Sequence, residues 1–260
     1  MESADNITQP SDQAMPGVED SNYVVGIGAS AGGLESLELF FKNMPIDSGL
    51  AFVVVQHLSP DFKSLMDELL ARHTKLRIHR VENGMQVERD SIYLIPPKKE
   101  MIISGGRLLL TDKDPDRDLS LPIDHFFRSL AQDVGRCSVA IVLSGTGSDG
   151  SRGILDVHEA GGLVFSQNEE SAKFDGMPKS ARDTGIVDYV LPPEEMPAAI
   201  INHIKRSRAE DSCGDATVAD GAGDLQGYDA IFKLLRDEHG IDFSFYKPIQ
   251  SVVGLSGGFR

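Results

Sequence analysis

The stretch from Val24 to Gly33 constrains this chain more than any other. It reads Val-Val-Gly-Ile-Gly-Ala-Ser-Ala-Gly-Gly, and the helical pattern Leu34-Glu35-Ser36-Leu37-Glu38-Leu39-Phe40-Phe41 follows directly. Two valines end a strand, small residues make the turn, and a helix starts. Gly28-Ala29-Ser30-Ala31-Gly32 fits Gly-x-Ser-x-Gly, the pattern of a nucleophile elbow. A turn this tight pushes a serine hydroxyl outward only if its neighbours are small. The helix start leaves unpaired N–H groups beside the serine, where an oxyanion can form.

Two other readings fit the same letters. Gly26-Ile27-Gly28-Ala29-Ser30-Ala31 matches the dinucleotide fingerprint with Ala at its third small position. That fingerprint wants an acid at the end of the next strand. The next strand, Leu50–Val55, ends in Gln56-His57, and no Asp or Glu follows until Asp61. The remaining reading is a purely structural glycine turn, common where strands meet helices.

From Tyr23 the chain alternates strand and helix. The expected strands are Tyr23–Ile27, Leu50–Val55, Arg77–Arg80, Ser91–Ile95, Ser138–Leu143, Leu163–Ser166 and Val187–Leu191. Most are short continuous apolar runs, as in strands buried on both faces. Helical patterns lie between them at Leu34–Asn43, Phe62–Arg72, Ile123–Val134, Ser151–Ala160, Pro178–Asp183 and Glu194–Arg206. Gly105-Gly106 between Met101–Ser104 and Arg107–Thr111 is a two-residue hairpin signal. The expected fold is α/β, a doubly wound, mostly parallel sheet with an inserted antiparallel hairpin.

This domain is expected over 23–206. Residues 1–22 hold Glu2, Asp5, Asp12, Glu19 and Asp20 with no Lys or Arg, and read as a disordered acidic tail. Residues 207–226 are rich in Ser, Gly, Ala and Asp and read as a flexible acidic linker. Residues 227–260 open with an amphipathic helix, Tyr228–Leu235, and are too few for a core of their own. The net charge of −15 argues against nucleic-acid binding, which needs a basic surface. Cys137 and Cys213 make neither a disulfide framework nor a metal cluster. No signal peptide and no run of transmembrane length is visible, so a cytoplasmic protein without membrane insertion, metal or cofactor is expected.

In an open α/β sheet, sites form outside the carboxyl ends of the strands. The first strand delivers Ser30 there, the second His57, and the fifth Leu143-Ser144-Gly145-Thr146-Gly147-Ser148-Asp149-Gly150-Ser151. A serine, a histidine and an aspartate are the set for nucleophilic acyl transfer. Their chain order is Ser, His, Asp, whereas an α/β-hydrolase runs Ser, Asp, His. Ser144 and Ser148 are rival nucleophiles away from the elbow. Asp149 is equally placed to cap the helix after it. Gly145-x-Gly147-x-x-Gly150 lacks the Lys-Ser/Thr of a phosphate loop. The other histidines, His73, His79, His125, His158, His203 and His239, lie in polar or helical contexts.

Four motifs in order carry a resemblance. Gly-Ala-Ser-Ala-Gly-Gly, Gln56-His57, Leu143–Gly150 and Phe174-Asp175-Gly176-Met177-Pro178-Lys179-Ser180-Ala181 together resemble the catalytic domain of CheB-type chemotaxis protein-glutamate methylesterases, over about residues 23–200. The resemblance implies Ser30 as nucleophile, His57 as base and Asp149 as its orienting partner. It implies hydrolysis of γ-glutamyl methyl esters on methyl-accepting chemoreceptors or similar sensory proteins, and often glutamine deamidation. It implies oxyanion or positioning roles around Ala31, Thr146 and Met177. Many members have Thr and Met where Ala31 and Thr146 stand, and Arg-Pro where Leu121-Pro122 stands. A backbone oxyanion hole survives the first two changes. Members usually carry an N-terminal receiver domain, and residues 1–22 are too few for one.

Ile231–Arg236 and Gly240–Pro248 resemble the opening of a CheR-type receptor methyltransferase domain. That likeness ends at Pro248, as in a truncated or frame-disrupted fusion. The alternative to an enzyme is a non-catalytic regulatory module of a sensory array that keeps the fold.

Overall fold

The computed structural model describes residues 23–57, 66–112 and 121–213, with side chains as far as 207. The chain divides into two units, Met1–Arg208 and Ala209–Arg260. The strands and helices among the described residues lie in the first, save the end of the last helix. The expected tail at 1–22 and the methyltransferase-like stretch at 227–260 lie outside the described residues.

The strands of the main sheet are β1 (Val24–Ala29), β2 (Ala51–Gln56), β3 (Arg77–Arg80), β5 (Ser91–Leu94), β8 (Ser138–Val142), β9 (Leu163–Gln167) and β10 (Tyr189–Leu191). They lie in the order β10-β9-β8-β1-β2-β5-β3, and every pairing is parallel. All seven expected strands are present. β1 is central, and the order turns back on itself there, at the point where open α/β sheets hold their sites.

A second, antiparallel sheet joins β4 (Met85–Gln86), β7 (Arg107–Asp112) and β6 (Lys99–Ser104) in that order. Its hairpin turn is the expected Gly105-Gly106, with φ of 57° and 70°. Both values are positive, as a type I′ turn requires. β4 is too short to leave a pattern in the sequence.

Alternate residues of each parallel strand face opposite layers. Val25 and Ile27 of β1, Phe52 and Val54 of β2 and Val139 and Ile141 of β8 join one buried cluster. Over them lie α1 (Gly33–Asn43), α2 (Met66–Leu70) and α6 (Met196–Cys213). Val24, Val53, Val55, Ala140 and Val142 join the other. Its cover is α3 (Pro122–Val134), α4 (Gly153–Glu159), α5 (Gly176–Arg182) and the small sheet. Burial on both faces is why these strands read as unbroken apolar runs rather than alternating ones. The helix α6 continues to Cys213, past its expected end at Arg206. Ser207-Arg208-Ala209-Glu210 contains good helix formers and no breaker, so nothing local stops it.

The glycines of β1 are explained by α3. A Cβ on Gly26 would lie 2.9 Å from Leu130 and 3.0 Å from Phe126, and one on Gly28 would lie 2.5 Å from Cγ2 of Ile123. The bare strand lets α3 sit close against it, which accounts for the glycine spacing without a dinucleotide. Gly28→Ala is therefore expected to lower stability by about 1–3 kcal/mol through overpacking. At this size each kcal/mol moves a midpoint by roughly 2–4 °C, and an unchanged melt would show that α3 can yield without cost.

Candidate active site

Ser30 and His57 leave the sheet side by side. The parallel register pairs Ala29 with Gln56, and the N–H of His57 donates to Ala29 O at 3.2 Å. The next residue on each strand is therefore the serine and the histidine, on strands about 4.8 Å apart. Ser30 is partly exposed. Its N–H donates to Ser144 O at 3.0 Å, which extends the β1–β8 pairing by one step. Its carbonyl accepts from Gly33 N–H at 3.0 Å and from Gln56 Nε2 at 3.4 Å. Among the described residues its hydroxyl makes no hydrogen bond.

The left-handed residue of the elbow is Gly32, with φ of 72°, while the only non-glycine residues with positive φ among those described are Asp90 and Lys98. Gly32 also abuts Lys173 and Ser144, both 2.8 Å from a Cβ placed there. The strained step of the turn thus falls on the residue that tolerates it, and the serine keeps an ordinary backbone.

Asp149 reaches His57 from the loop after β8. Its Oδ2 lies 2.8 Å from His57 Nε2, with the histidine side chain 32% exposed and the aspartate 3%. Nε2 is thereby committed to the carboxylate, and Nδ1 is the nitrogen left for a reacting proton. Two further donors fix the carboxylate: Ile123 N–H to Oδ2 at 3.1 Å and Asp124 N–H to Oδ1 at 2.9 Å. These are first-turn amides of α3, whose own N-cap residue, Leu121, makes no side-chain cap. Asp149 does cap a helix, but α3 rather than the helix after it.

The helix after Asp149 is capped by Asp124. Oδ1 of Asp124 accepts from Arg152 N–H at 3.0 Å and Gly153 N–H at 2.7 Å. The side chain is 4% exposed, and its Oδ2 has no partner. Burial pushes this carboxyl above the usual aspartate range, and the Asp149 charge adds to the rise against the pull of its amide donors. The folded state then holds the proton to higher pH than the unfolded chain, so its stability falls as pH rises above the ordinary aspartate value of about 3.9. Asp124→Asn does not ionise and is expected to melt above the wild type at pH 7, with the gap closing at acid pH. A wild type that melts higher than Asp124→Asn at pH 7 would show the reverse balance.

Of the other expected site residues, Ala31 is partly exposed, Thr146 is exposed and Met177 is fully buried. Met177 N–H donates to Gly145 O at 2.9 Å, and its sulfur occupies the space where a Gly145 side chain would stand. Gly145 in turn lies against the Cβ of Ser30. The N–H groups of Ala31 and Thr146 meet no acceptor among the described residues.

Ser144, the first rival nucleophile, is a strut. It is fully buried; its hydroxyl donates to Ala31 O at 2.9 Å and accepts from Phe174 N–H at 3.0 Å. Gln167, also buried, accepts from Ser144 N–H at 2.8 Å and from Ser36 Oγ at 3.0 Å. Arg182 grips both oxygens of Asp175, at 2.9 and 2.8 Å, and fixes the segment that follows Phe174. Sequence reasoning misses Asp124, Ser144 and Gln167 in these roles because their partners lie on distant segments. Among the described residues no cluster of His, Cys, Asp and Glu could hold a metal, and no helix is long and apolar enough to cross a membrane.

The chain is similar to known proteins in sequence and fold. A sequence profile described as CheB methylesterase matches residues 25–200. The crystal structure of the Thermotoga maritima CheB methylesterase catalytic domain is 30% identical, with a TM-score of 0.64 over 70% of this chain and 98% of that one. A protein-glutamate methylesterase/protein-glutamine glutaminase of Pyrococcus abyssi is 32% identical over 75% of this chain and 54% of its own length. An uncharacterized 104.1 kDa protein of Rhodobacter capsulatus is 41% identical over 70% of this chain and 21% of its own. The chain thus spans about half the length of the methylesterase relative and about a fifth of the Rhodobacter protein.

Proposed function

The chain belongs to the CheB methylesterase family, and on that footing we propose that it hydrolyses γ-glutamyl methyl esters on chemoreceptors or similar sensory proteins, with glutamine deamidation as a second reaction. The observation that carries this reading is the His57–Asp149 contact of 2.8 Å beside an elbow serine.

Ser30 attacks the ester carbonyl as His57 takes the hydroxyl proton on Nδ1. Asp149 holds the proton on Nε2 and stabilises the imidazolium that forms. The oxyanion is received by N–H groups at the loop ends, of which Ala31 and Thr146 are the available donors. Met177 supports that pocket from beneath Gly145. His57 then protonates departing methanol, and water enters by the same route to release the glutamate. A glutamine side chain takes the same course with ammonia as the leaving group.

The catalytic unit is 23–206 in this reading, it works in the cytoplasm, and the flanking acidic stretches lie outside it. Methanol release from a methylated receptor peptide tests the proposal. The wild-type chain is expected to release methanol and leave free glutamate. A peptide that keeps its ester would sink the reading.

A further inference from the structure

We propose that Asp124 is a positioning residue for this site: its carboxylate ties the head of α4 to the head of α3, and the closed ring so formed holds Asp149 against His57. The inference rests on the functional reading only for its effect on rate.

The ring is closed by bonds in both directions. The N–H of Asp124 donates to Asp149 at 2.9 Å, and the carboxylate of Asp124 accepts from Arg152 and Gly153 at 3.0 and 2.7 Å. Residues 149–153 complete the circuit covalently. Each aspartate therefore caps the helix that the other one's segment leads into. Neither helix supplies a side-chain cap of its own, so each depends on the other's loop. The two helices also meet closely here. A Cβ on Gly153 would lie 2.7 Å from Asp124 O and 2.7 Å from Phe127 Cβ.

Oδ2 of Asp124 is a buried oxygen without a partner. A carboxyl needed only to cap α4 gains nothing from such burial, because an exposed Asp, Ser or Asn caps as well. Its place is explained by what it holds. The charged groups around it are Asp149 on the loop, Arg152 at the head of α4, and beyond them the pairs Arg128–Asp156, between α3 and α4, and His125–Glu100, between α3 and β6, at 3.2 and 3.6 Å. None of these replaces the two amide bonds.

The test follows the His57 ring by NMR in the wild type, Asp124→Ala, Asp124→Asn and Asp124→Ser, with the signal assigned by its loss in His57→Asn. Methanol release is measured on the same samples. In Asp124→Ala the ring is expected to lose its fixed Nε2–H form, the proton being shared with Nδ1, as its carboxylate partner drifts. Turnover should drop roughly 10- to 100-fold, with KM within about twofold. Asp124→Asn keeps an acceptor oxygen and should restore the Nε2–H form, with turnover within about threefold of wild type. A folded Asp124→Ala with the wild-type ring tautomer and turnover would overturn the proposal. If that variant does not fold, Asp124→Ser decides: its shorter hydroxyl should give a smaller loss of the Nε2–H form, and no loss would overturn the idea. A wild type that releases no methanol would defeat the functional reading, while the His57 tautomer would still judge the ring.

Discussion

Ser30→Ala is expected to end methanol release while leaving the melt within a degree or two of wild type. The two halves have separate physical reasons. In the proposed mechanism the hydroxyl is the attacking group at the ester, and removing such a nucleophile costs on the order of 10⁴-fold or more. Stability does not need it, because the hydroxyl makes no hydrogen bond among the described residues and the residue is partly exposed. The backbone bonds that hold the elbow, Ser30 N–H to Ser144 O and Gly33 N–H to Ser30 O, survive in alanine. The double variant Ser30→Ala/His57→Ala should be hardly slower than Ser30→Ala, since triad members act as one unit and their losses do not add. Wild-type release from Ser30→Ala would remove Ser30 as the nucleophile and leave another serine, Ser148 first, to be tried. Ser144 is no longer a candidate, being buried with its hydroxyl committed on both sides.

How far the sequence carries depends on the range of the forces involved. The parallel sheet is legible because burial of both faces writes unbroken apolar runs such as Val53-Val54-Val55. The Gly105-Gly106 turn is legible because positive φ at both positions selects glycine locally. The bond that turns Asp149 toward α3 leaves no such mark. Its donors, Ile123 and Asp124, precede it by some twenty-five residues and contribute only backbone amides. Local rules accordingly assign Asp149 to the helix after it, where Asp124 in fact does the capping. Asp124 itself stands in the first turn of a helix, the commonest place for an acid, so its letter carries no signal. Gly26 and Gly28 show the opposite difficulty. Their pattern is strong, but packing against Leu130 and Ile123, not a bound phosphate, is what selects it. Motif letters locate the site in the chain, and the contacts say which of several physical reasons put them there.

Asp149→Asn is expected to damage both activity and stability, unlike Ser30→Ala. Three N–H donors converge on the Asp149 carboxylate: His57 Nε2–H and Ile123 N–H on Oδ2, and Asp124 N–H on Oδ1. Asparagine offers one acceptor oxygen and one NH₂. If the NH₂ takes the place of Oδ2, it meets two donors, and His57 escapes by moving its proton to Nδ1, the atom that accepts from Ser30 in the proposed mechanism. If it takes the place of Oδ1, the tautomer survives, but the NH₂ faces Asp124 N–H and the charge that steadies the imidazolium is gone. Either arrangement leaves a buried donor unpaired, at about 1–3 kcal/mol. Turnover should fall by roughly 10²–10⁴-fold, the upper end belonging to the wrong tautomer. The His57 ring distinguishes the two cases by NMR, through which nitrogen carries the proton. Were Asp149 only the cap of α3, the melt would drop while the folded fraction turned over at the wild-type rate. A folded Asp149→Asn protein with undiminished methanol release would remove Asp149 from the catalytic machinery, and with it the basis for Asp124 acting through it.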